Sequence, residues 1–169
     1  MMLEKILRYF RGRDGNMEYC RKQGLKIGSG CEILNGWDFG SEPYLIEIGD
    51  NVRIASGVKF VTHDGGVWVL RHQYPELSDI DLFGKILIGS NVHIGFNAII
   101  MPNVSIGNNC IIGCGAIVTH DIPDGSIVVG VPGRVIKTIE EYRTQHEAEF
   151  IHSKRLSAKE KRVMLAGKE

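Results

Sequence analysis

The stretch from Ile88 to Pro123 reads, in blocks of six, IGSNVH, IGFNAI, IMPNVS, IGNNCI, IGCGAI and VTHDIP. The first position is Ile88, Ile94, Ile100, Ile106, Ile112 and Val118, all β-branched aliphatics. Gly follows at 89, 95, 107 and 113. The fifth position, Val92, Ala98, Val104, Cys110, Ala116 and Ile122, is apolar and mostly small. A period of six fits neither an α-helix nor a plain hairpin strand. It fits a short strand and a tight turn, repeated. An inward Ile or Val at the first position stacks on its equivalent in the next coil. A corner Gly or Asn accepts the positive φ that a sharp turn needs, and a small fifth residue lets the corner close.

Three six-residue sides make a triangular coil of eighteen residues. Neighbouring coils then pair as parallel strands roughly 4.8 Å apart. Ile88, Ile106 and residue 124 mark one edge, Ile94 with Ile112 and Ile100 with Val118 the other two. The same form recurs upstream at Ile48, Ile54 and Phe60, and more weakly at Ile27, giving about four to five coils.

Between Phe60 and Ile88 the phase breaks, because 28 is not a multiple of six. A loop over 65–86 therefore leaves the solenoid just after His63. It carries Trp68, Arg71, His72 and Tyr74. Long loops inside compact repeats are usually functional. His63 stands at the fourth position of its block, on the outer surface where the loop departs.

The flanks read as helical caps. Residues 1–26 carry Leu3, Ile6, Leu7 and Phe10 at helical spacing, then a short helix with Asn16 as N-cap and Gly24 past its end. The solenoid spans 27–137. Residues 138–169 turn helical again, with a capping box at Ser157.

The 169 residues fit one domain, with 43% hydrophobic content. Twenty basic residues balance twenty acidic ones, so bulk charge offers no attraction to nucleic acid or an anionic membrane. The N-terminus lacks the form of a secretory signal. No run reaches the ~18 apolar residues of a membrane span. Cys20, Cys31, Cys110 and Cys114 contain no C-x-x-C pair and read as reduced thiols, which places the chain in the cytoplasm.

From Ile46 to Ile139 the chain resembles the hexapeptide-repeat acetyltransferases. IGDNVRIASGVKF, FVTHD and the run from IGSNVH to GVPGRVIKTI carry the likeness. It is nearest to the galactoside and maltose acetyltransferases and to O-acetyltransferases of surface polysaccharides. The resemblance implies an all-β, left-handed parallel β-helix that works as a homotrimer. It also implies acetyl-CoA as co-substrate and a sugar hydroxyl as acceptor, in polysaccharide or glycan biosynthesis. N-acetylation of an amino sugar and a non-catalytic scaffold stand as alternatives; a scaffold needs neither His63 nor the loop.

In that family a histidine beside the extended loop is the general base, which is His63 here. A neutral imidazole takes the hydroxyl proton as the oxygen attacks the thioester. Asp64 is the nearest residue in sequence to orient it, a backbone carbonyl being the other choice. Backbone N–H groups at Gly65 or Gly66 are candidates for the oxyanion. The resemblance puts Phe96, Cys114, Thr119 and His120 along the coenzyme channel, and Arg134 and Lys137 at its phosphate end. His120 departs from the family's usual lysine, and Phe96 is bulkier than its usual small residue. Asn35, Asp38 and Asp64 are the substrate-binding candidates, Asn35 and Asp38 beside Trp37 in a segment suited to a carbohydrate surface. The γ-class carbonic anhydrases share this helix and bind zinc through histidines, two of them five residues apart. That spacing is missing here, so no metal is expected.

Overall fold

The computed structural model describes residues 17–167; Leu3, Ile6, Leu7, Phe10 and Asn16 lie outside them. The chain divides into two compact units, one up to Ile139 and one from Glu140.

The first unit is a parallel β-helix. Its strands are β1 (Lys26–Ile27), β2 (Glu32–Ile33), β3 (Ile46–Ile48), β4 (Arg53–Ile54), β5 (Lys59–Phe60), β6 (Ile86–Ile88) and β7 (His93–Ile94). There follow β8 (Ile99–Ile100), β9 (Val104–Ile106), β10 (Ile111–Ile112), β11 (Ile117–Val118), β12 (Ser126–Val129) and β13 (Arg134–Thr138). Successive strands fall in turn on three sheets: β1-β3-β6-β9, β2-β4-β7-β10-β12 and β5-β8-β11. Every pairing within them is parallel; β13 alone folds back antiparallel on β12 and ends the solenoid.

The register matches the hexapeptide reading through the middle coils. Ile94 pairs with Ile112, and Ile100 with Val118. The last coil differs, since Ile106 bridges Ile122 and Ile112 pairs with Val128. The final turn is thus two residues shorter than eighteen, and Ile122, not residue 124, continues that edge. Inside, Ile46, Ile54, Ile86, Ile94, Ile100, Ile112 and Val118 are each 0% exposed. Each such side chain contributes ~1.5–3 kcal/mol by leaving water.

The corners divide two jobs. The fourth position takes positive φ, as at Asn91 (57°) and Gly57 (78°). The recurrent second-position glycine serves closeness instead: a Cβ on Gly95 would stand 2.7 Å from the Cys114 backbone nitrogen of the next coil. One corner also carries a side-chain ladder. Ser29 N–H donates to Asp50 (2.6 Å), Asp50 N–H to Ser90 (3.0 Å), Ser90 N–H to Asn108 (2.9 Å) and Asn108 N–H to Asp124 (2.8 Å). These residues satisfy amides that the turn leaves without strand partners.

The fold is not purely β. Residues 17–22 are helical, and the loop contains the helix Val67–Gln73 and a 3-10 turn at Pro75–Leu77. The loop closes earlier than residue 86: His63 bridges Phe83, and Gly84 N–H donates to the Thr62 carbonyl at 2.8 Å. Ile86 is already in β6 and fully buried. The second unit holds the helix Ala158–Ala166, capped reciprocally by Ser157 and Glu160. A helix at Ile139–His146 starts at the boundary.

Candidate active site

His63 lies at the base of the loop in a pocket of about 320 Å³. Ser41, Glu42, Asp64, Gly65, Trp68, Arg71, Asp81 and Phe83 are among its walls. The His63 side chain is 49% exposed, and its Nδ1 stands 3.3 Å from Oε2 of Glu42, which is only 15% exposed. Thr62, fully buried, donates its hydroxyl to the same Oε2 at 2.7 Å. Burial raises the Glu42 carboxyl pKa, but hydrogen bonds from Ser41, Thr62 and His63 outweigh it and hold the group below its ordinary value. Glu42 is therefore an anion at neutral pH. A carboxylate only accepts, so Nδ1 carries the proton and Nε2 is left as the basic nitrogen.

The solenoid brings the pair together. The bridge between Asp38 and Lys59 sets one coil on the next, and four residues on from each stand Glu42 and His63. They hold the same turn position of successive coils. Three extra residues, the 3-10 turn Pro43–Leu45, lengthen the lower coil and hide this equivalence in the sequence.

Asp64 does not orient His63. Its Oδ1 accepts from Gly66 N–H at 2.7 Å, closing the turn that starts the loop helix. That contact commits the Gly66 amide, so of the two glycines Gly65 is the one left for an oxyanion, and it lines the pocket.

Five of the remaining candidates fall on two corners of the triangle. By strand register, Asn35, Phe96 and Cys114 share one corner in different coils, where Gly115 N–H donates to the Phe96 carbonyl. His120 shares the other with Thr62 and His63, and Thr119 Oγ1 lies 2.8 Å from His120 Nδ1. Arg134 and Lys137 are on β13, opposite Val129 and Ile127. Asn35 and Asp38 do not line the His63 pocket; Asp38 Oδ1 accepts from Gly40 N–H at 3.1 Å. Trp37 is no sugar platform, being 5% exposed with its ring 4.8 Å from Phe39 in the core. It occupies an inward fifth position, so the repeat itself buries it. Among the described residues no three His, Cys, Asp or Glu side chains gather as a metal site. No described helix is long and apolar enough to cross a membrane.

Residues 85–120 match the family model "Bacterial transferase hexapeptide (six repeats)". Protein CapG of Staphylococcus aureus is 46% identical over 168 residues, covering 98% of this chain and 96% of CapG. Galactoside O-acetyltransferase of Escherichia coli is 41% identical over 105 residues, 62% of this chain and 49% of that protein. A solved galactoside acetyltransferase in complex with coenzyme A superposes with a TM-score of 0.59 at 28% identity, covering 78% of this chain and 73% of that one. The chain belongs to the hexapeptide-repeat acetyltransferase family.

Proposed function

We propose that this chain transfers an acetyl group from acetyl-CoA to a sugar hydroxyl in polysaccharide biosynthesis, with His63 as general base and Glu42 as its positioning residue. The observation that carries the reading is the Glu42–His63 pair at the mouth of the loop pocket. The likeness to a galactoside O-acetyltransferase and to a coenzyme A complex supports the two substrates.

The acceptor oxygen attacks the thioester carbon while Nε2 of His63 takes its proton. The imidazolium so formed sits against the Glu42 carboxylate. The Gly65 amide faces the oxyanion of the tetrahedral intermediate. On collapse the carbon–sulfur bond breaks, the imidazolium returns its proton to the sulfur, and the acetyl ester and free coenzyme leave.

Arg134 and Lys137 meet the coenzyme phosphates, Arg134 as a fork and Lys137 as a point charge. Phe96, Cys114, Thr119 and His120 line the pantetheine path. These residues lie on two corners that one triangular prism keeps apart. A ring of three copies lays one corner of each chain against the other corner of its neighbour and completes the channel. That supports a homotrimer, wound left-handed as in the family, working in the cytoplasm where acetyl-CoA is found.

The test is release of free thiol from acetyl-CoA against a panel of sugars, with His63→Ala as control. A well-folded protein that releases no thiol above the variant with any sugar removes the proposal.

A further inference from the structure

We infer that residues 150–166 form a docking surface for an anionic lipid bilayer, held by unpaired cations and by the exposed apolar side chains on either side of them. The inference is independent of the acetyl-transfer reading, since no residue of that site takes part.

The first observation is charge. The even overall charge conceals an uneven distribution. Over 140–149 the second unit carries four Glu and one Arg. Over 152–167 it carries Lys154, Arg155, Lys159, Lys161 and Arg162 against Glu160 alone, so the remainder of the chain is net negative. All five cations are exposed, and none makes an ion pair among the described residues. Lys22, Lys26, Arg53, Arg71 and Arg143, by contrast, each stand against a carboxylate. Glu160 offsets little. Its carboxylate accepts from the N–H and the hydroxyl of Ser157 at 2.8 and 2.6 Å, which closes the cap of the helix Ala158–Ala166. A cluster of this size on or beside a surface helix is attracted to anionic headgroups.

The second observation is apolar exposure, and it selects lipid among polyanions. No residue of 140–167 is buried, so this unit has no core for its large apolar side chains to enter. Phe150 and Ile151 precede the cations, and Val163, Met164 and Leu165 follow the last of them, all five exposed and Val163 67% so. At a bilayer the ammonium and guanidinium groups stay at headgroup level while their stems and the neighbouring apolar side chains enter the acyl boundary. Duplex nucleic acid offers phosphates to the cations and nothing to the aliphatics. The helix Ala158–Ala166 has nine residues, far short of the ~20 that a span requires, so it lies on the surface.

The test is co-sedimentation of the full-length protein with vesicles of phosphatidylcholine alone and of phosphatidylcholine mixed with phosphatidylglycerol. Binding should be roughly ten-fold tighter or more to the mixed vesicles, and added salt should weaken it. Two charge reversals, Lys154→Glu with Arg155→Glu and Lys159→Glu with Arg162→Glu, should each remove most of that gain. Val163→Ser with Leu165→Ser should weaken binding to mixed vesicles with the charge intact. The first pair lies outside the helix and all these positions are exposed, so far-UV circular dichroism should match the wild type. Equal affinity for the two vesicle types overturns the inference, as does binding to mixed vesicles that neither charge reversal changes. Tighter binding to duplex DNA than to mixed vesicles overturns it in favour of a nucleic acid. Sedimentation without lipid is the last control: a charge reversal that changes the oligomeric state assigns the segment to a neighbouring copy and overturns the inference as well.

Discussion

Glu42 and His63 occupy the same turn position in successive coils, so the imidazole Nδ1 rests 3.3 Å from a carboxylate held in turn by the buried hydroxyl of Thr62. In the proposed mechanism the two act as a unit, and units are non-additive. His63→Ala should lower kcat by the ~10²–10⁴-fold typical of a general base. Glu42→Gln should lose part of that, because the amide no longer stabilises the imidazolium. The double variant should be no slower than His63→Ala alone. Losses that simply multiply would show that Glu42 acts elsewhere.

The fold was legible because its rule is local. Each block carries its own inward aliphatic and its own corner residue, and Ile94 over Ile112 needs only counting. What escaped lies where counting fails. The lower coil has three extra residues at Pro43–Leu45, so Glu42 and His63 are 21 apart rather than 18 and do not look equivalent. Phe39 and Phe60, whose rings stack at 4.9 Å, were the available signal for realigning them. The same realignment would have put Trp37 inward. Asp64 failed as the orienting residue because an Asp one position past the histidine is better placed to cap the Gly66 amide.

The second-position glycines predict a stability result. Gly95→Ala forces a methyl to 2.7 Å from the Cys114 backbone nitrogen, where no side chain can yield. The cost should be ~1–3 kcal/mol, as for other overpacked sites, read by denaturant unfolding. Alanine at Gly115, which has open space but φ of 70°, should be strained through its backbone alone. Ile94→Ala should cost ~2–5 kcal/mol through its cavity. A neutral Gly95→Ala would mean the coils can spread.

The corner ladder predicts acid sensitivity. The Asp50 carboxyl is held below its ordinary value by hydrogen bonds from the Ser29 backbone and side chain, and Asp124 likewise by Asn108. A depressed folded pKa adds stability that is present above the unfolded value, about 3.9, and lost as pH falls through the folded one. Melting temperature should therefore drop below about pH 4. The drop should shrink in Asp50→Asn with Asp124→Asn, and an unchanged acid slope in that variant would remove the ladder as its cause.

Arg134→Ala and Lys137→Ala should raise KM for acetyl-CoA with kcat nearly unchanged. Phosphates far from the thioester are bound alike in ground and transition states. A charge-assisted contact is worth roughly 1.5–3 kcal/mol, so the rise should be about ten- to a hundred-fold. KM for the acceptor should stay put. Unmoved KM for acetyl-CoA in both variants would put the nucleotide end elsewhere.

The two-corner arrangement makes the proposed trimer testable by complementation rather than by size alone. His63 and His120 are on one corner, Asn35, Phe96 and Cys114 on another. If each site is built from unlike corners of two chains, a variant broken at one corner can lend its intact corner to a partner. His63→Ala alone should be inactive. Phe96→Arg, which would set a cation in the proposed pantetheine path, should be nearly so. Unfolding and refolding the two together in equal amounts creates interfaces at which an intact His63 corner meets an intact Phe96 corner. With random assembly of a head-to-tail ring, about one interface in four is of that kind, so up to roughly a quarter of wild-type activity should return. Sedimentation of each variant as a trimer must accompany the assay, because a Phe96→Arg chain that cannot assemble would give no activity for another reason; Phe96→Ala, which removes bulk without charge, serves as the assembling control. Trimers that regain nothing on mixing would place the whole site within one chain.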